Sequence, residues 1–148
     1  MIYCGYQGVG KSTYCRNNPN TTVDLDSSNF KKVADWYADY VKTALDLSKS
    51  GKNVFISAHR EVISYLIYHK YDFELIIPAD DKELWAKRLE FRYMKNKTVP
   101  NLKAIHDFNI NFEEDMHFYY DKCKKYNIKV HKVTSKIVTN IGDFILDN

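Results

Sequence analysis

Four apolar residues, Met1-Ile-Tyr-Cys4, run directly into Gly5-Tyr-Gln-Gly-Val-Gly-Lys-Ser12, and this junction limits what the rest of the chain can become. Gly5, Gly10, Lys11 and Ser12 fill every fixed place of the pattern G-x-x-x-x-G-K-[ST], whose chemistry requires a strand before it and a helix after it. The apolar run reads as that strand, and Lys11 onward can wind into the helix. Glycines let such a turn point its N–H groups inward, so Gly5, Gly8, Val9 and Gly10 are expected to form an anion-holding nest at a helix N-terminus. Lys11 would reach the β- and γ-phosphates of ATP. The Ser12 hydroxyl would coordinate Mg²⁺, and Thr13 is placed to touch the α-phosphate.

A chain of 148 residues is expected to form one domain, 1–148, with a core of its own. Its 22 basic and 19 acidic residues leave a net charge of +3, which suits anionic small molecules without demanding a nucleic acid. Cys4, Cys15 and Cys123 are odd in number and lack metal-ligand spacing, so they read as reduced thiols. With a strand beginning at Ile2 there is no room for a signal peptide, and no apolar run approaches a membrane span. The expectation is a cytoplasmic protein with no membrane partner, a monomer or a homodimer. The Lys-, Asn- and Tyr-rich composition suggests an AT-rich genome such as that of a bacteriophage.

Downstream, strands alternate with helices. A helix to about Asn17 ends at Asn-Pro-Asn20, and a strand over Thr21 to Leu25 delivers Asp24 and Asp26 to one side, since residues two apart on a strand share a face. Ser27 or Ser28 is expected to cap a helix with Val33, Tyr37, Tyr40, Val41, Ala44 and Leu45 on one stripe, ended by Gly51; Asp26 could also serve as a cap. Val54 to Ile56 reads as a third strand leading into Ser57-Ala-His-Arg60, then a helix over 61–70. Phe73 to Ile77 reads as the fourth strand. Asp80 or Asp81 is expected to cap a charged helix to about Asn96, with Leu84, Trp85 and Leu89 buried. Residues 95–101 read as a mobile connection, Asn111 with Glu114 as a new helix start after a break at Asn109-Ile-Asn111, Ile128 to Val133 as a fifth strand, and Ile137 to Leu146 as a last helix. Such alternation implies a parallel sheet with helices on both faces, with ligand at the carboxyl ends of the strands.

These features together resemble the P-loop kinases of small molecules, the adenylate-kinase-like group that includes nucleoside monophosphate, shikimate and polynucleotide kinases. Besides the loop, Ile76 to Arg92 looks like the strand and Pro-x-Asp-x-x-Leu-x-x-Arg-Leu-x-x-Arg helix that leads into the lid of nucleoside monophosphate kinases, allowing one extra residue. Val23-Asp-Leu-Asp26 resembles the second-strand acidic pair of shikimate kinase. The resemblance implies a three-layer α/β/α P-loop NTPase fold on a five-stranded parallel sheet, with a short helical lid near 88–103. It implies that Arg88 stacks on the ATP base, that Arg92 lies near the phosphates, and that Arg60 binds substrate phosphate. One carboxylate of the pair, Asp24, would help hold the metal, and the other, Asp26, would hold or deprotonate the acceptor. The segment Ser57-Ala-His-Arg60 departs from the Asp-Gly-Phe-Pro-Arg of adenylate kinases, and beyond Arg92 the lid region offers Lys95, Lys97 and Lys103 in place of arginines.

The inventory matches phosphoryl transfer, which needs positioning and charge stabilisation more than covalent chemistry. The expected activity is an ATP- and Mg²⁺-dependent kinase of (deoxy)nucleoside monophosphates. The alternatives are a kinase of a hydroxyl acceptor, either a nucleoside or the 5′-hydroxyl of a nucleic acid, and a nucleotide-binding switch. Asp26 divides the first two: a monophosphate oxygen is already ionised near neutral pH, whereas a hydroxyl needs a base.

Overall fold

The computed structural model describes residues 1–79 and 81–133. Five parallel strands, β1 Ile2–Gly5, β2 Thr22–Asp24, β3 Asn53–Ser57, β4 Glu74–Pro78 and β5 Val130–Val133, form one sheet in the order β2-β3-β1-β4-β5. Five helices connect them: α1 Lys11–Asn17, α2 Trp36–Lys49, α3 Arg60–Tyr68, α4 Lys82–Lys95 and α5 Val99–Tyr126. The all-parallel sheet with its helical crossovers is an α/β fold, compatible with three layers. The chain leaves β1 in one direction, towards β2, and later crosses back over it from β3 to β4. The strand order therefore reverses at β1, and the carboxyl end of a strand at such a reversal is where open parallel sheets take ligands.

The central strands are buried on both faces and accordingly read as continuous apolar runs. Tyr3, Cys4, Val54, Phe55, Ile56, Ile76 and Ile77 have no exposed surface, and the rings of Tyr3 and Phe55 stack with centroids 5.1 Å apart. Register ends β1 and β3 level, Gly5 opposite Ser57, while β2 closes two residues earlier with Asp24 opposite Phe55, and β4 runs on past Ile76, the partner of Gly5, to Pro78. A buried tyrosine reinforces this edge beyond the ladder. The Tyr40 hydroxyl donates to the Leu25 carbonyl at 2.6 Å and accepts from the Ser57 N–H at 2.9 Å, tying the ends of β2 and β3 together.

Two helix expectations are corrected. Neither Ser27 nor Ser28 caps an α-helix. The Asp26 carboxylate takes the Ser28 N–H at 2.9 Å and caps only a short 3₁₀ turn, Ser27–Asn29, so α2 begins at Trp36 and Val33 is exposed. Ser27, Ser28 and Asn29 are residues whose side chains compete for local backbone groups and favour turns over helix interiors. The second correction is α5, one unbroken helix of 28 residues where a break at Asn109-Ile-Asn111 and a fresh cap at Asn111 were expected. Ala104, Phe108, Phe112, Met116, Tyr119 and Cys123 recur every three or four residues along its buried stripe. Burial of that stripe outweighs the few tenths of a kcal/mol by which each Asn disfavours helix, roughly 0.7 at most.

The connection expected to be mobile over 95–101 is also shorter. Thr98 caps α5 by accepting from the Asn101 N–H at 3.3 Å, Pro100 occupies the first turn, and Asn101 is buried. Asp81 caps α4 through the Leu84 N–H. The expected cap at Asp80 and the helix over Ile137 to Leu146 lie outside the described residues. Among the described residues no helix is long and apolar enough to cross a membrane.

Candidate functional site

The loop from Gly5 to Ser12 sits at the carboxyl end of β1, where the strand order reverses. Gly8 and Gly10 hold positive φ angles of 86° and 100°, a region open to glycine at little cost, and Gly10 is the residue from which α1 starts. A Cβ on Gly5 would meet the Lys11 side chain at 2.8 Å, so the absence of a side chain there is what lets Lys11 fold along the loop. Its ammonium donates to the Gly5 carbonyl at 2.9 Å and towards Tyr6 O at 3.4 Å. Burial pushes the Lys11 ammonium down to about 8, against the pull of Asp24, with Arg92 lowering it further. The nest therefore holds its cation at a cost that an anion would relieve.

On the open side of the loop, the Ser12 hydroxyl donates to Asp24 Oδ2 at 2.7 Å. α1 supplies the hydroxyl and β2 the carboxylate, both exposed. Hydroxyl and carboxylate oxygens suit Mg²⁺, which keeps several waters and takes substrate phosphates as further ligands. Among the described residues no group of three His, Cys, Asp or Glu side chains could hold a metal without such help. Thr13 is exposed on the same turn and accepts from Arg16 at 3.4 Å. Asp26 is exposed beyond the end of β2, with one oxygen spent on the Ser28 N–H.

The arginines divide. α4 brings Arg88 onto the loop, where Nε donates to the Gly8 carbonyl at 2.8 Å and the guanidinium lies 4.7 Å from the Trp85 ring centre. Arg92, one turn on, donates through Nε to Asn101 Oδ1 at 2.9 Å; burial lowers its pKa from the usual arginine value, and it is near enough to Lys11 to depress that ammonium. Arg60 faces elsewhere. At the start of α3 it donates to Asp115 Oδ1 at 2.8 Å, with Glu114 at 3.7 Å, and lies over Phe118. All three acidic and aromatic partners are on α5.

Two further groups complete the mouth. His59 Nε2 lies 3.2 Å from Ser27 Oγ, and its ring meets Trp36 edge-on at 5.4 Å. Burial pushes its imidazole down to about 4, and Lys31, Lys11 and Lys103 add to the effect, so it is neutral at neutral pH. Lys31 lies over the Trp36 ring at 5.2 Å. The expected set Gly5, Gly8, Gly10, Lys11, Ser12, Asp24, Arg88 and Arg92 is thus brought around one loop, with Asp26 two residues past Asp24 capping its own turn and Arg60 turned to α5. Asn101, Asp115 and Lys31 carry no sequence signal that marks them as partners of Arg92, Arg60 and Trp36. Trp85 does in part, since it lies three and four residues before Arg88 and Leu89 on one helix face.

No family model matches the chain, and no curated protein matches it. Among solved structures, the chain matches an uncharacterized protein from Eubacterium ventriosum ATCC 27560, with a TM-score of 0.49 and 13% identity over 99% of this chain and 95% of that one. A likeness of that degree assigns no activity.

Proposed function

We propose that the chain is an ATP-dependent phosphotransferase of the P-loop kinase type, with residues 88–103 as a short lid and a (deoxy)nucleoside monophosphate as the leading acceptor. The observation that carries this reading is the Ser12–Asp24 hydrogen bond beside a glycine-built loop that encloses Lys11. In this reading the loop amides and Lys11 hold the β- and γ-phosphates of ATP, and Ser12 and Asp24 hold Mg²⁺. The bound metal would neutralise charge on the phosphate oxygens. Arg92, already held by Asn101, is placed to offset charge on the transferred group.

The pairing of Arg60 with Asp115 favours a second reading, transfer to a hydroxyl, because the arginine expected to take an acceptor phosphate is engaged by a carboxylate. Asp26 would then be the general base. The deciding experiment is ATP consumption with Mg²⁺ against nucleoside monophosphates, nucleosides and 5′-hydroxyl oligonucleotides. Turnover with a monophosphate supports the leading reading; turnover only with a hydroxyl acceptor replaces it with the second. ATP turnover indifferent to every acceptor would indicate a nucleotide switch, and retained transfer in Lys11→Ala would overturn the loop's role altogether.

A further inference from the structure

The two surfaces of the phosphate loop are set by different groups. Its outward carbonyls are taken by α4: the Trp85 indole Nε1–H donates to Gln7 O at 3.1 Å, and Arg88 Nε donates to Gly8 O at 2.8 Å. A trans peptide holds its C=O and the following N–H pointing in opposite directions. Drawing the carbonyls of Gln7 and Gly8 towards α4 therefore turns the N–H groups of Gly8 and Val9 the other way. The Val9 N–H accordingly points to Tyr6 O at 3.3 Å, the same carbonyl that the Lys11 ammonium approaches. The two inward donors share one interior.

The donors on α4 are themselves assembled. Trp85 is fully buried, the Arg88 guanidinium lies on its ring, and the two residues are three apart on one helix face. Leu89 closes the contact, since a Cβ on Gly8 would meet its Cδ2 at 2.8 Å. We infer that Trp85 and Arg88 are positioning residues that set the loop for a polyphosphate by holding its carbonyls from behind, Trp85 turning the Gly8 N–H away from α4 and Arg88 fixing the next peptide, whose Val9 N–H closes the turn on Tyr6 O. This deepens the phosphotransferase reading and rests on it. It assigns Arg88 work on the protein backbone, in a place where stacking on the adenine ring was expected, and it gives Trp85 a task beyond filling the core.

The test uses two probes, MgATP and inorganic tripolyphosphate, titrated calorimetrically into wild type, Trp85→Phe, Arg88→Met and Lys11→Ala. Tripolyphosphate carries no base, so it separates loop orientation from base stacking. Loss of one donor to a polar group that reads charge is expected to weaken tripolyphosphate about tenfold in each α4 variant, and to shift the free-state Gly8 and Val9 amide resonances while the melting profile stays cooperative. Arg88→Met keeps the question open to refutation if Trp85→Phe fails to fold. Folded α4 variants that bind tripolyphosphate like wild type overturn the inference, as does an Arg88→Met that weakens ATP alone. If wild type binds neither probe, or Lys11→Ala binds both unchanged, the loop reading falls and the inference with it.

Discussion

Ser12 Oγ and Asp24 Oδ2 lie 2.7 Å apart, although one residue opens α1 and the other closes β2. Parallel pairing puts Asp24 opposite Phe55 and so level with Tyr3, two residues before Gly5, and it is the turn of the chain from Gly5 into α1 that brings Ser12 back over the end of β2. The Tyr40 hydroxyl fixes that level from the side. Under the proposed function, this hydroxyl and carboxylate would serve as oxygen ligands for one hard cation.

Asp24→Asn is expected to preserve the shape of this contact and lose its charge. Mg²⁺-dependent nucleotide affinity should fall about 10–100-fold, while nucleotide binding in the presence of chelator stays near wild type. Paired titrations with and without Mg²⁺ check it; equal losses in both would remove Asp24 from the metal.

Lys11 gives a pH signature. Its pKa falls from 10.5 towards about 8 in the folded chain, so its contribution to stability is complete above 10.5 and is lost as pH falls to about 8. The cost below that window is about 3 kcal/mol at most. Subtracting the stability curve of Lys11→Met from that of wild type should leave a rise between pH 8 and 10.5. At neutral pH the variant should be at least as stable as wild type without ligand, yet gain nothing from MgATP. Denaturant titration across that range measures both.

His59 titrates in the opposite half of the scale. With its folded value lowered from 6.5 to about 4, the unfolded chain binds the proton first, so this contribution is intact above pH 6.5 and lost on acidification towards 4. Up to about 3 kcal/mol of acid sensitivity is assigned to this one ring. His59→Asn should flatten stability across that interval; an unchanged slope would place the acid sensitivity in other groups.

Asp26→Asn separates the acceptor classes. A general base contributes about 10²–10⁴-fold, so a loss of several hundredfold is expected with a hydroxyl acceptor and a small one with a monophosphate. Single-turnover rates at saturating ATP make the comparison direct.

The loop, its lysine and the carboxylate on the next strand were legible because each is encoded within a few consecutive residues. The alternation of strand and helix was legible for the same reason, from Ile2 through β5. What escaped depends on distant partners. Asn109 and Asn111 look like a break in isolation and are absorbed by the buried stripe through Phe108, Phe112 and Met116. Arg60 sits where a phosphate ligand was expected, but its direction is set by Asp115, 55 residues away. Asn101, read as the end of a loose connection, is the residue that holds Arg92.

The unbroken α5 has a mechanical meaning. At about 1.5 Å per residue it is a rod roughly 42 Å long, and three of its side chains grip the site region at successive heights: Asn101 on Arg92, Asp115 on Arg60 and Tyr119 on the Ala58 carbonyl. A hinge at Asn109-Ile-Asn111 would have let the first of these grips move alone. Without it, any tilt of α5 that displaced Asn101 and Arg92 would also displace Asp115 and Tyr119, and with them Arg60 and the Ala58 carbonyl that follows β3.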